Sequence, residues 1–120
     1  MKNRLLLSSF WLILLAGLLC SCSKKVIKQS NGIPGCINNK IAEGKKGSWG
    51  CEKGNSIKQY TFQNKTVYVL EPGNCGNDMA IYVLDANCKD LGFLGGITGN
   101  TKINGEEFAN AVYVKTVWSN

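Results

Sequence analysis

The rhythm of polar and apolar positions changes three times along this chain. An apolar stretch, Leu5 to Leu19, follows the basic opening Met1-Lys2-Asn3-Arg4. A polar stretch from Ser23 to Gly35 then carries Asn31-Gly32 and Pro34-Gly35 and reads as a flexible tether. Beyond it, Cys36, Ile37 and Ile41 share one face at helical spacing, with Ala42 adjoining. That spacing predicts a short amphipathic helix over 36–43, ended by Gly44 or Gly47.

From residue 57 the pattern becomes that of strands. In Ile57–Gln63, Tyr60 and Phe62 fall on one face, and Asn64-Lys65 provides a turn into a second run, Thr66–Glu71. This is a hairpin signal. Pro72-Gly73-Asn74 breaks the run. Met79–Leu84 is apolar on both faces, as expected of a central strand. Asp85-Ala86-Asn87 turns the chain, Leu91–Leu94 is a short strand interrupted by Gly92, and Gly95–Asn100 is an irregular loop. The last strand is Ala111–Trp118, with Val112, Val114 and Trp118 on one side. No repeat and no second domain are visible. The expected fold is α+β: one short N-terminal helix packed on a four- to five-stranded antiparallel sheet. The expected core is Ile37, Ile41, Tyr60, Phe62, Val67, Val69, Ile81, Val83, Val112 and Val114.

The apolar opening has its own meaning. Fifteen helical residues span about 22 Å, short of the roughly 30 Å hydrocarbon layer, which suits a cleaved signal rather than a membrane span. The run ends in Leu19-Cys20-Ser21-Cys22. A small residue before the cut is met by Ser21 and not by Leu19, so residues 1–21 read as a lipoprotein signal peptide and Cys22 as the lipid-bearing first residue. The alternative is an ordinary secretory signal without lipid. Residues 22–35 then form the anchored tether and 36–120 a single domain. Ser23 after the lipid-bearing cysteine favours the outer membrane. With no acidic run following, the protein is expected to face the periplasm.

The compartment sets the reading of the cysteines. Loss of Cys20 with the signal leaves Cys36, Cys51, Cys75 and Cys88, an even set in an oxidising space, expected to form two disulfides. A helix running down from Cys36 brings Cys51 to the bottom of the sheet. Strands running up, down and up then place Cys75 at the bottom and Cys88 at the top. The meander predicts Cys51–Cys75 and Cys36–Cys88. Pairing Cys75 with Cys88 would bridge the two ends of one strand, about 20 Å apart, where a disulfide needs Cα atoms within about 7 Å.

Charge and chemistry narrow the function. The chain has 14 basic and 8 acidic residues and no histidine, so the commonest general base and zinc ligand are missing. Lysines concentrate before residue 66, and the later half is acidic. No aromatic residue interleaves with Lys24, Lys25 and Lys28, which argues against nucleic acid. Gly95-Gly96-Ile97-Thr98-Gly99 lacks the Gly-Lys-Ser/Thr ending of a phosphate loop. Its glycines read as positions of positive φ, and a ligand loop formed by Gly95, Gly96, Thr98 and Gly99 is the alternative. Asp85–Asp90 reads as an Asx-type turn rather than a calcium loop. Adjacent Glu106 and Glu107 would point to opposite faces of a strand. No catalytic residue, cofactor or metal ligand emerges.

Cys36-Ile37, Val67-Tyr68, Cys75, Leu84-Asp85, Cys88 and Gly95-Gly96-Ile97-Thr98-Gly99, in this order, resemble a family of small uncharacterised bacterial lipoprotein-type domains. The resemblance covers roughly residues 35 to 100. Gly76 stands where that family often has a second adjacent cysteine, and Asn100-Thr101-Lys102 where it often has an acidic Gly-Asp-Gly stretch. The resemblance implies the compartment and the small domain and carries no activity. The expected function is a non-enzymatic, membrane-anchored envelope protein that binds a protein partner. The second reading is an inhibitor of a secreted hydrolase. A protruding, rigid loop would mark the inhibitor, and an exposed apolar patch or sheet edge the binding or assembly protein.

Overall fold

The computed structural model describes residues 32–120. The stretch read as a signal peptide, Cys22 and the part of the expected tether up to residue 31 lie outside the described residues. One helix, α1 (Gly35–Lys45), precedes β1 (Ser56–Phe62), β2 (Lys65–Glu71), β3 (Ala80–Asp85), β4 (Asp90–Gly95), β5 (Lys102–Ile103), β6 (Glu106–Glu107), a 3-10 turn (Phe108–Asn110) and β7 (Val112–Ser119). The main sheet has the order β4-β3-β2-β1-β7 and is antiparallel throughout, and β5 and β6 form a second, two-stranded sheet. This is the expected α+β architecture at its five-stranded limit.

The start of α1 has no side-chain cap. The Pro34 carbonyl accepts from the N–H groups of Ile37 and Asn38 at 3.0 and 3.1 Å. The helix stops at Lys45, and Gly47 just past its cap has a φ of +70°. There the Gly47 N–H donates to the Gly44 carbonyl and the Ser48 N–H to that of Glu43, both at 3.0 Å. These two bonds satisfy carbonyls that the helix end leaves open. Gly44 lies inside the helix and is buried, because a Cβ there would sit 2.9 Å from the indoles of both Trp118 and Trp49. Ile33 packs against the core beneath the helix. The folded domain therefore begins a few residues before Cys36, within the stretch read as tether.

The first hairpin turns one residue earlier than expected. Phe62 pairs with Lys65, and the loop is Gln63-Asn64 with φ values of 50° and 60°. Two successive left-handed residues make a turn of the type whose twist matches that of the flanking strands.

Both faces of the sheet are covered. On one, Ile57, Tyr68, Leu70 and Leu84 pack beneath Ile37, with Ile41, Trp49 and Trp118 closing the sides. On the other, Phe62, Val67, Val69 and Val83 pack against Ile103 of β5, with Tyr60, Ile81 and Phe108 around them. The second layer explains why β2 and β3 are apolar in consecutive positions. To the expected core the helix face adds Ile57, Tyr68, Leu70 and Leu84, and the second layer adds Ile103.

Two expected core residues are not in it: Val112 and Val114 are 64% and 47% exposed. The helix crosses the sheet diagonally, from the β3–β4 turn, where Cys36 is bonded to Cys88, to Trp118 near the end of β7. The corner at the start of β7 stays uncovered, as does the opposite corner on β3 and β4. Register shifts between Ile57 and Lys58 and between Gln59 and Tyr60 also break the alternation of β7.

The two edges of the sheet are treated differently. Along β4, the Asn100 amide donates to the Phe93 carbonyl at 2.6 Å, and Gly95 and Asn100 exchange backbone bonds at 2.8 and 3.1 Å. The edge of β7 carries five consecutive exposed residues, Val112 to Thr116.

Candidate functional site

The two disulfides mark the ends of the molecule. Cys36–Cys88 ties the start of α1 to the β3–β4 turn, with Cα atoms 6.1 Å apart. Cys51–Cys75 ties the segment entering β1 to the segment leaving β2, at 5.7 Å. Both pairings are those expected from the meander. The chain enters the domain at the Cys36–Cys88 end. β4 runs from that end to Gly95, so the glycine-rich loop lies at the opposite one.

That loop is built by its backbone. Gly95, Gly96 and Gly99 all have positive φ, at 69°, 69° and 60°. The Gly95 N–H donates to Asn100, that of Gly96 to the Met79 carbonyl at 3.3 Å, and that of Gly99 to Gly96 at 3.1 Å. The Asn100 amide also donates to the Lys102 carbonyl at 2.8 Å. These amides are engaged within the molecule, so they form no open cradle for a phosphate. What the frame presents is its tip, Ile97 and Thr98, with Ile97 89% exposed.

Exposed aromatic residues lie beside the loop at Gly96. Tyr82 and Phe93 are cross-strand partners on the helix side of the sheet, 49% and 42% exposed. A Cβ on Gly96 would lie 3.6 Å from the Phe93 ring. The patch fills the corner that the diagonal helix leaves open. Sequence reasoning missed Tyr82 and Phe93, whose exposure depends on where α1 crosses. Their pairing across β3 and β4 was the available signal.

The remaining candidates resolve into structural roles. The Asp85 carboxylate accepts from the N–H groups of Asn87 and Lys89 at 2.8 and 2.9 Å, an Asx-type turn that holds Cys88 at a φ of 61°. Glu106 accepts from Gln63 at 3.0 Å and Asn110 at 3.2 Å, whereas Glu107 lies 3.6 Å from Lys102. The two carboxylates thus have separate partners. Lys58 contacts both oxygens of Glu71 at 2.7 and 2.9 Å, and Ser56 donates to the same carboxylate at 2.9 Å. The hydrogen bond to Glu71 raises the Lys58 pKa above its ordinary value, and burial raises that of Tyr68. Among the described residues, no three His, Cys, Asp or Glu side chains gather as metal ligands.

Fold and surface define a small α+β domain, stapled at both ends by disulfides, with an apolar corner and a framed loop. Residues 45–120 match the model of a domain of unknown function (DUF6970), and the chain belongs to that family. The Gly95–Gly99 stretch lies inside the matched residues, and Cys36-Ile37 lies before them. No curated protein and no solved structure matches the chain.

Proposed function

We propose that this chain is a lipid-anchored envelope protein whose domain binds a partner protein through the corner formed by Tyr82, Phe93 and Ile97. The observation that carries the reading is Ile97, an isoleucine 89% exposed at the tip of a loop fixed by its own backbone bonds. Apolar and aromatic side chains on a rigid frame supply contact area at little ordering cost. The position of the loop supports the same reading. The tether enters at the Cys36–Cys88 end, so a lipid on Cys22 leaves the Ile97 end facing away from the membrane. The two disulfides agree with an oxidising compartment.

A photocrosslinking residue at position 97, compared with one at Asn39 on α1, tests the site in the native envelope. The expected result is one predominant adduct from position 97, absent from position 39 and lost when Tyr82 and Phe93 become alanine. Identical adducts from both positions, or none, would overturn the site. The anchor is tested separately by the mass of the mature N-terminus, where a free amine at residue 22 or beyond refutes it.

The framed loop also supports a second reading, an inhibitor that inserts Ile97 into the cleft of a secreted hydrolase. An adduct that is a hydrolase, titrated to inactivity at one equivalent, would favour it. An adduct without such inhibition favours the binding or assembly role.

A further inference from the structure

On the face opposite α1, a groove of about 480 Å³ runs between β4 and the 3-10 turn. Tyr60, Leu94, Phe108 and Ala111 form its apolar lining, and Thr101 and Glu107 are among its polar residues. The Tyr60 ring lies 5.5 Å from that of Phe108 and 5.6 Å from that of Tyr113, so the aromatic surface continues past the groove to the start of β7. The polar groups are unequal. The Asn100 side chain, the amide donor in the lining, is engaged by the carbonyls of Phe93 and Lys102. Glu107 is the one ionised side chain among the lining residues, and it is about half exposed. Its contact with Lys102 is long, at 3.6 Å, and the nearby Lys58 is held by Glu71 at 2.7 Å. The groove thus combines aromatic surface with an acceptor-only charge and offers no free amide donor from Asn100. A carboxylate or phosphate would meet Glu107 as a like charge. A compact organic cation would meet both complements, attraction to the ring system and to the carboxylate.

We propose that this groove is a binding site for an alkylated ammonium group. It is separate from the Tyr82–Phe93–Ile97 corner and does not depend on the role assigned there. Glu107 supplies the counter-charge, displacing its long contact to Lys102, while Tyr60 and Phe108 supply the apolar and cation–π surface.

The test is an NMR titration of the disulfide-intact domain with tetramethylammonium chloride. Sodium chloride at matched ionic strength and tert-butanol, a neutral molecule of similar shape, serve as comparisons. The expected result is saturable shifts at Phe108, Ala109 and Ala111 in the millimolar range. Sodium chloride should give none of these, and tert-butanol weaker ones. Glu107→Gln, an exposed and isosteric change, should weaken the affinity about two- to fivefold. Tyr60→Leu should weaken it comparably if it folds, and Glu107→Gln decides the outcome if it does not. Absence of saturation, equal binding of tert-butanol, or an unchanged affinity in Glu107→Gln would each overturn the proposal.

Discussion

Replacing Gly44 by alanine sets helix propensity against packing, and the structure decides the sign. In an exposed helix the change should stabilise by about 1 kcal/mol. Here the new methyl would sit 2.9 Å from Trp118 on one side and from Trp49 on the other, inside the contact limit. The indoles cannot both withdraw freely. They meet edge to face, with centroids 5.8 Å apart and planes at 70°, and the Trp49 N–H donates to the Lys40 carbonyl at 2.8 Å. Disrupting the ring contact costs about 0.5–1.5 kcal/mol, and losing the hydrogen bond costs about as much again. Against the helical gain, the net is a destabilisation of about 1 kcal/mol. Urea unfolding with disulfides intact, followed by tryptophan fluorescence, measures it, and near-ultraviolet circular dichroism reports the indole pair. Gly44→Ala should lower the midpoint and weaken the indole bands. Gly47→Ala has open space around it but a φ of +70°. It should cost about 1 kcal/mol through left-handed strain while leaving those bands unchanged. A Gly44→Ala protein as stable as the parent, with unaltered indole bands, would refute the packing argument.

Replacing each disulfide by a pair of serines should destabilise in the order of loop length. The separations of 52 and 24 residues correspond to about 4 kcal/mol for Cys36–Cys88 and about 3.5 kcal/mol for Cys51–Cys75, readable from denaturant midpoints. Stability should also fall in alkali. Lys58, held protonated by its hydrogen bond to Glu71, and Tyr68, held neutral by burial, have folded pKa values above their ordinary 10.5 and 10.0. Their contribution is complete below the unfolded values and lost as pH rises through the folded ones. Thermal melts at pH 8 and pH 11 check this, and Lys58→Met should flatten the dependence. Finally, Asn64→Gly places glycine in a turn whose φ values are both positive and leaves the Gln63 hydrogen bond to Glu106 in place. It should raise stability by up to about 1 kcal/mol with no change in register.

Much of the fold was legible because it is local. The helix and the first hairpin follow from spacing, and the disulfide pairing follows from the up-and-down order of strands. The two-sided core was half legible. Val67 and Val69 were placed in it, but Tyr68 and Leu70, in the alternate positions of the same strand, were not. Their cover is α1 on one face and, for the valines, a second sheet of two-residue strands on the other. Such strands leave almost no periodic signal, and only Ile103 of β5 is deeply buried. Val112 and Val114 fit the alternation expected of a core strand, yet β7 lies at an edge, carries register shifts and starts beyond the reach of the helix. The glycine loop was legible as a set of backbone conformations. The patch beside it was not, because the exposure of Tyr82 and Phe93 follows from the diagonal course of a helix that ends at Lys45, far earlier in the chain.

The unequal edges of the sheet limit how copies of this domain can join. With the outward carbonyl of Phe93 and the backbone of Gly95 taken by Asn100, β4 offers no continuous ladder to a neighbour. Strand addition is left to β7. Pairing through β7 consumes the one main-sheet edge left open among the described residues. Two main sheets joined β7 to β7 would therefore form a closed couple with β4, already covered, at each outer edge.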